Sequence, residues 1–375
     1  MLDQESSLRL KLLRFPPIIG VIYIHGYATN VNYAGGTIGT HEVNALTDFT
    51  RVLISQGLAR IAVPLFFLIS GYLFFANFRW SPQTYVKKIL TRLRSLLVPF
   101  LFWNMLGLAI VALAQALPSV QFMPYFTGEN NNLIAKFTAF DYLNNILGLK
   151  WYPIAYHFWF IRDLMLLVLL APVIAVILRF AALPYFILIF LCWVSGTWPL
   201  YEPIIMGKVF GVWPIILPAS MGLFFFSAGA FCGIKGKSLF VLDKYGPAAF
   251  LIFVPLLLAD VLWYTAWFNV YLHRTALVFG VVAALYSTKL ILPHERLKNL
   301  IISLGGASFF VYAAHEPLLR FVRTFAFKYI PLDWPYTMLL LYLTIPLVVV
   351  ALLVWCHRLL SILCPRTLSV ITGGR

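Results

Sequence analysis

Long apolar segments recur from one end of this chain to the other, and they leave few ways in which it can fold. Several approach or exceed about 18 largely apolar residues, the length that a helix needs to cross the hydrocarbon core of a bilayer. The mean hydropathy is +0.88 and 11% of the residues are charged, whereas charged residues make up about 25% of a soluble domain. The sequence therefore predicts an all-α polytopic membrane protein, with residues 1–375 forming a single transmembrane domain.

The spacing of the apolar segments predicts the number of spans. We expect about ten transmembrane helices, which begin near Phe15, Leu53, Ser95, His157, Leu183, Trp213, Pro247, Thr275, Leu300 and Tyr336. No cleavage site of small residues follows the first apolar segment, so we expect this segment to be retained as a span.

The basic residues predict the orientation of the spans. If the N-terminus is cytoplasmic, about 18 of the 28 Lys and Arg residues fall on the cytoplasmic side. Because basic residues favour that side, both termini are predicted to be cytoplasmic. The net charge of +15 is spread over short loops between apolar segments, so it does not predict a nucleic-acid partner. The cysteines lie in apolar runs without metal-ligand spacing, so neither a metal site nor a disulfide framework is expected.

Several ionisable residues fall inside the apolar segments. A charge at the centre of a bilayer costs at least about 2.5 kcal/mol, so each of these residues needs a partner, water or a function. For some of them a structural explanation stays open: an ion pair within the fourth span, a buried core histidine in the ninth, and arginines that reach the outer surface. The residues in question are His25, Arg60, His157, Arg162, Asp163, His315, Glu316, Arg320 and Arg323.

The first apolar segment places a basic residue and a histidine in register. Arg14 and His25 are separated by about 1100° around a helix, three turns plus about 20°, so we expect both on one face, roughly 16 Å apart along the axis. The polar breaks at Ser70–Tyr72 and Gly305–Ser308 contain small residues, which favour close helix packing. Such packing would bring Arg60 near the first helix.

Five segments, in order along nearly the whole chain, resemble a known family. They are RIAVPLFFLISGYLFF (60–75), KKILTRLRSLLVPFLFWN (87–104), HFWFIRDLMLLVLLAPVI (157–174), FFFSAGAFCGIKG (224–236) and SFFVYAAHEPLL (308–319). This pattern is similar to that of the integral-membrane acyltransferase 3 family, bacterial inner-membrane O-acyltransferases of which many acetylate cell-surface polysaccharides. The family's first span carries an arginine, ten residues and a histidine, matched here by Arg14 and His25.

The resemblance implies an acyl-CoA donor, with acetyl-CoA as the first choice, and a hydroxyl acceptor on a polysaccharide or a lipid-linked glycan. It implies the bacterial inner membrane as the location, and no metal. We assign Arg14, Lys88 and Arg92 to the phosphates of the donor, because guanidinium and ammonium groups bind phosphate well.

The remaining candidates are assigned to catalysis and to the acceptor. We expect His25 to act as the general base, since neutral imidazole accepts a proton near pH 7; a transient acyl-histidine is the second possibility. Arg60 would stabilise the oxyanion, and His315 would orient the acceptor or His25. The candidates for acceptor binding are His157, Arg162, Asp163 and Glu316.

Two other functions stay open from the sequence. Intramembrane histidines and arginines also occur in permeation pathways, so the chain could export a lipid-linked sugar or a small anion. It could also be a non-catalytic scaffold of a polysaccharide assembly complex. The identity of the acyl group stays open as well, because a succinyl donor would need one further cation, which Arg60 or Arg162 could supply.

Overall fold

The computed structural model describes residues 3–33, 36–76, 81–117, 133–150, 152–195 and 220–374. These residues are almost entirely helical, as predicted, apart from one short pair of strands. The predicted asparagine loop (130–132) lies outside the described residues. So do residues 196–219, which include the end of the predicted fifth span and the start of the predicted sixth. The α-helices are α1 (Gln4–Leu12), α2 (Pro16–His25), α3 (Ala45–Arg51), α4 (Ala62–Phe75), α5 (Pro82–Ala116), α6 (Ala139–Leu147), α7 (Trp159–Leu169), α8 (Ala171–Phe180), α9 (Ala182–Ser195), α10 (Ser220–Ile234), α11 (Gly246–Leu262), α12 (Asn269–Ile291), α13 (Glu295–Leu304), α14 (Ser308–Tyr329), α15 (Thr337–Leu363) and α16 (Pro365–Thr372).

Six helical stretches of the described chain are long and apolar enough to cross a membrane: Ala45–Phe75, Pro82–Ala116, Leu239–Leu262, Asn269–Ile291, Glu295–Tyr329 and Thr337–Leu363. Helices α7 and α8 meet at an angle of 61° and would together make a seventh. Helices α9 and α10 are apolar but shorter. The structure thus supports a multi-pass helical membrane protein, while the count of about ten spans and the direction of the termini stay predictions.

The start of the chain differs from the single predicted helix. Helix α1 ends at Leu12 and α2 begins at Pro16, so Arg14 lies in a turn between the two helices. Proline lacks an amide hydrogen and favours the first turn of a helix, which explains why the Pro16-Pro17 pair starts a new helix. The expectation of one continuous helix that carries both Arg14 and His25, from which the offset of roughly 16 Å was derived, was therefore wrong.

The first predicted span was also too long. Helix α2 ends at His25, and the chain then forms an antiparallel hairpin of strand β1 (Asn30–Tyr33) and strand β2 (Gly36–Gly39). The apolar run up to Tyr33 suggested a longer helix. Gly39 adopts a φ of 99°, a left-handed conformation that glycine tolerates readily, and it lies tightly against the backbone of β1.

Helices α3 and α4 are joined by turns that are not α-helical. A π-helical segment (Val52–Gly57) is followed by a 3-10 segment (Leu58–Ile61), which carries Arg60. π-helical turns are rare and are found frequently at functional sites. A Cβ at Gly20 of α2 would lie 3.4 Å from the Cα and Cβ atoms of Ala59. The segment that carries Arg60 therefore packs against the first helix, as predicted, but through Gly20 and Ala59 and not through the two small-residue breaks.

Helices α4 and α10 pack through glycine at two levels. A Cβ at Gly71 would lie 2.0 Å from the carbonyl oxygen of Phe226, and a Cβ at Gly229 would lie 1.9 Å from that of Leu68. No larger side chain fits at these distances without a backbone shift. The interpretation of the Ser70–Tyr72 break as a packing contact is therefore confirmed.

The N-terminal helix is held to the rest of the structure by a buried arginine. The side chain of Arg9 is 2% exposed, and its guanidinium donates two hydrogen bonds to Asp243, at 2.6 and 2.8 Å. The Nε atom donates to Thr288 at 2.8 Å, and the group stacks on the ring of Phe240 at 3.8 Å. The buried guanidinium of Arg9 therefore has hydrogen-bond partners and a ring to stack on, and a buried charge needs such partners to be stable.

Helix α14 is broken in its middle. Glu316 has φ −104° and ψ 132°, outside the helical region, and Pro317 follows it. Proline removes an intrahelical hydrogen bond and clashes with the preceding turn, so it accounts for the break. The break places the Glu316 side chain beside Tyr156, at the point where the functional candidates meet.

Candidate active site

Three histidines from three separate parts of the chain meet inside the helical bundle. The ring of His25, at the end of α2, lies 5.1 Å from that of His315 on α14 and 6.4 Å from that of His157. The rings of His157 and His315 lie 4.6 Å apart. The structure therefore brings together three of the residues that the sequence singled out, from opposite ends of the chain.

A tyrosine links His25 to the broken turn of α14. The hydroxyl oxygen of Tyr156 lies 2.5 Å from Nδ1 of His25 and 3.5 Å from Oε1 of Glu316. Tyr156 opens the 3-10 turn Tyr156–Phe158 that precedes α7. Imidazole, phenol and carboxylate thus form a continuous chain, the kind of arrangement that can fix the tautomer of a histidine.

The other two histidines each donate one hydrogen bond to a backbone carbonyl. Nε2 of His157 lies 3.2 Å from the oxygen of Ala313, and Nδ1 of His315 lies 2.6 Å from that of Tyr312. Because a carbonyl only accepts, each of these nitrogens carries hydrogen, and the second nitrogen of each ring is an acceptor. Those acceptors, Nδ1 of His157 and Nε2 of His315, are buried and have no partner among the described residues.

Two arginines of α14 lie on the same side of the helix as Glu316. Nη1 of Arg323 donates to the carbonyl oxygen of His25 at 3.3 Å, at the C-terminal end of α2. Nε of Arg320 lies 4.0 Å from Oε2 of Glu316. From the sequence, both arginines could have reached the outer surface. In the structure, Arg323 is turned toward His25 and Arg320 toward Glu316.

Arg60 approaches the site from the 3-10 segment. Its Nε donates to Oε1 of Gln56 at 3.0 Å, and Nη2 donates to the same oxygen. Its positive charge acts on the His25 ring together with those of Arg320 and Arg323. Three arginines therefore lie near enough to His25 to act on it through their charge, which would suit negative charge that develops during a reaction.

A cavity of about 250 Å³ adjoins this cluster. Tyr156, Glu316 and Arg320 lie on one side of it, and Trp103 and Ile110 of α5 lie on the other. The cavity is large enough for part of a small substrate, and its polar groups are confined to the side next to the histidines. We call it the side cavity below.

Other predicted site residues lie outside this cluster. Arg162 and Asp163 form an ion pair at 2.9 Å, and Nη1 of Arg162 donates to the oxygen of Gly148 at 2.8 Å, at the end of α6. This is the structural ion pair that the sequence left as an alternative. Neither residue lines the side cavity, so a role in acceptor binding stays a prediction without geometric support.

The predicted donor-binding residues lie apart from the histidines. Arg14 is exposed, and its Cδ lies 3.8 Å from the point that a Cβ at Gly305 would occupy. Lys88 donates to the carbonyl oxygen of Phe74, and Arg92 lies one turn further along α5. Their assignment to a donor stays a prediction.

Sequence reasoning missed Tyr156 and gave Arg323 no functional role. The spacing of Glu316, Arg320 and Arg323 at i, i+4 and i+7 could have indicated one charged face, since such positions align on a helix. No comparable signal identifies Tyr156, which is adjacent in sequence to a candidate but joins the site only through the fold. In the part of the chain that the structure describes, no three His, Cys, Asp or Glu side chains are arranged to hold a metal ion.

Comparisons with known proteins show which family the chain resembles. The chain is 28% identical to the succinoglycan biosynthesis protein ExoH of Rhizobium meliloti (strain 1021) over 394 aligned residues, covering 100% of this chain and 94% of that protein. No solved structure matches the chain. Residues 8–356 match the acyltransferase 3 family model, which is described as an acyltransferase domain. Since this match covers most of the sequence, the chain belongs to the acyltransferase 3 family.

Proposed function

We propose that the protein is a membrane O-acyltransferase that moves an acyl group, acetyl in our first assignment, from cytoplasmic acyl-CoA to a hydroxyl group of a surface polysaccharide or its lipid-linked precursor. Membership of an acyltransferase family and similarity to a succinoglycan biosynthesis protein support the reaction class and the acceptor class. One observation carries the mechanism: His25 is hydrogen-bonded to Tyr156, which lies within 3.5 Å of Glu316, beside the side cavity.

The direction of these hydrogen bonds decides whether His25 can act as a base. An ionised Glu316 only accepts hydrogen bonds, so the Tyr156 hydroxyl donates its hydrogen to Glu316. The Tyr156 oxygen can then accept a hydrogen bond from another group. Nδ1 of His25 then donates to Tyr156, and the lone pair of Nε2 is available for a proton. In the opposite arrangement Nε2 would carry hydrogen and could not act as a base. In the productive arrangement Glu316 accepts from Tyr156 on one side, and Nε of Arg320 lies 4.0 Å from its Oε2 on the other.

The proposed reaction is direct transfer. Nε2 of His25 removes the proton of the acceptor hydroxyl while its oxygen attacks the thioester carbonyl. The carbonyl oxygen becomes an oxyanion, which Arg60 stabilises by its positive charge. The intermediate then collapses: the C–S bond breaks, the ester forms, and the CoA sulfur takes the proton back from His25. No external oxidant or reductant is needed. Transfer through an acyl-histidine is the second route.

The donor enters, in this proposal, from the side where α1 meets α2. Arg14 is exposed there, and Lys88 and Arg92 add positive charge on α5. CoA carries several phosphates, and guanidinium groups bind phosphate through paired hydrogen bonds. Because α2 starts at Pro16 and ends at His25, its length of about 15 Å would separate the phosphates from the reacting thioester.

The test is acyl transfer by the purified protein in vesicles. We would supply acetyl-CoA or succinyl-CoA together with glycan fractions from the source cells, and detect the acyl mass on the glycan by mass spectrometry. His25→Ala should lower the transfer rate by about 10²–10⁴-fold, the usual contribution of a positioned general base. The matched control is His294→Ala, at an exposed histidine that directly precedes α13.

Two outcomes would overturn the proposal. If His25→Ala keeps full activity while the protein is inserted normally, His25 has no part in the chemistry. If the wild-type protein moves a labelled glycan across the vesicle membrane without adding an acyl group, the protein is an exporter. A scaffold would show neither activity.

A further inference from the structure

We propose that the side cavity holds the part of an apolar chain nearest the phosphate in a membrane-anchored acceptor, a sugar joined through a phosphate to a long apolar chain, which enters sideways from the bilayer between α5 and α14. This inference rests on the proposed acyl transfer. It commits to one of the two acceptor classes named there, the lipid-linked precursor, over the finished polysaccharide.

The first observation is the uneven chemistry of the cavity walls. The wall formed by α5 is apolar, with Leu106, Ile110 and Val111 facing the cavity. The polar groups, Glu316 and Arg320 among them, lie on the wall formed by α14, next to the histidines. Such a cavity matches a ligand with an apolar part and a polar part. A sugar polymer without an apolar chain would leave the α5 wall without a complementary partner.

The second observation is that described residues cover both ends of the cavity. At one end, a small apolar cluster that includes Ile134 and Phe137 packs against Val111, Ile154 and Phe321. This cluster would have to move for a bulky polysaccharide to enter along the helix axes.

The opposite end is covered by the C-terminal helix. Trp103, which lines the cavity, donates its indole hydrogen to the carbonyl oxygen of Ile371 at 2.9 Å. Leu368 and Ile371 of α16 are buried against the bundle. Described residues therefore cover both ends of the cavity. A ligand would enter between α5 and α14, the side that the described residues do not cover.

The third observation is that both walls continue into surfaces that face away from the bundle. Met105 of α5 is 58% exposed, and Phe325 of α14, one turn beyond Phe321, is 48% exposed. Exposed large apolar side chains on a membrane-spanning helix face lipid. A ligand dissolved in the bilayer would therefore reach the cavity by passing between two lipid-facing helices, as its apolar chain requires.

The charge of Arg320 complements the phosphate of such a ligand. Arginine forms strong paired hydrogen bonds with phosphate oxygens. A phosphate near Arg320 would hold the attached sugar beside Glu316 and Tyr156, the two groups that lead to His25. The apolar chain would extend along Ile110.

Photolabelling tests this binding without requiring any catalysis. The probe is a glucosyl polyprenyl phosphate with a diazirine on its chain, in vesicles that contain the purified protein, followed by peptide mapping. We expect labelling of the segments 103–111 and 313–321, and loss of this labelling when excess unlabelled glucosyl polyprenyl phosphate is added. The polyprenol without phosphate should label these segments more weakly, and Arg320→Gln should remove that difference.

Variants of α5 make the test specific. Ile110→Trp fills the cavity and should abolish labelling, whereas Met105→Trp adds the same side chain on the exposed side of the helix and should not. Gly107→Leu is a second filling variant, because even a Cβ there would lie 3.2 Å from Ile154. Labelling that survives both filling variants, or that excess ordinary phospholipid removes equally well, would overturn the inference. Acyl transfer is not measured here, so loss of the inference leaves the proposed reaction standing.

Discussion

Replacement of Tyr156 by phenylalanine removes one oxygen from the centre of the candidate site. That oxygen lies 2.5 Å from Nδ1 of His25 and 3.5 Å from Oε1 of Glu316. The ring itself stays in place, in edge-to-face contact with the His25 ring at 5.0 Å. We therefore expect Tyr156→Phe to keep the packing and to lose the link that fixes the tautomer of His25.

The size of the effect follows from the charge that forms on His25. When the base takes a proton it becomes imidazolium, and a hydrogen bond to a charged group contributes about 1.5–3 kcal/mol. At about 1.36 kcal/mol per tenfold in rate, its loss lowers kcat by about 10- to 150-fold. The KM for acyl-CoA should stay unchanged, because the bond strengthens only as the proton moves and not when the donor binds.

The assay is steady-state release of CoA thiol in vesicles that contain equal amounts of inserted protein. Tyr271→Phe, at an exposed position of α12, is the matched control and should behave as wild type. The double variant Tyr156→Phe/Glu316→Gln should be little worse than the single variants, since residues of one chain act together. A Tyr156→Phe protein within about twofold of the wild-type kcat would refute the reasoning, because twofold corresponds to about 0.4 kcal/mol, well below the value expected for a hydrogen bond to a charged group.

Three further predictions concern the donor, the helix packing and the anchor of the N-terminal helix. Arg14→Ala should raise the KM for acyl-CoA and leave kcat similar, measured by titration of the donor; an unchanged KM contradicts the phosphate contact. Gly229→Leu should lower the thermal unfolding midpoint, because even a Cβ would lie 1.9 Å from the carbonyl oxygen of Leu68, and overpacking costs about 1–3 kcal/mol or more. Arg9→Ala should destabilise the protein by about 3–5 kcal/mol in chemical denaturation, since Asp243 loses the buried partner that it binds at 2.6 Å; a loss below about 1 kcal/mol would mean that water replaces the pair.

The sequence indicated some of the residues that meet at the candidate site. A histidine inside an apolar segment is costly unless it has a partner or a function, so His25, His157 and His315 could be selected without coordinates. Their convergence could not be derived, because they come from the beginning, middle and end of the chain. For Arg162 and Asp163 the same cost argument applied equally to a structural pair, and that is where the structure places them.

By itself the sequence determined that this chain is a helical membrane protein, because long apolar segments require internally hydrogen-bonded backbone in lipid. It also predicted the close packing at the Ser70–Tyr72 break, where Gly71 admits no larger side chain, but not the open space around Gly306, where a Cβ would meet nothing within 4 Å. Only the tertiary structure decided that α2 ends at His25, that Tyr156 lies between His25 and Glu316, and that Arg323 turns inward. Periodicity reports the face of one helix, whereas these contacts depend on helix breaks and on the packing of distant segments, which no local pattern encodes.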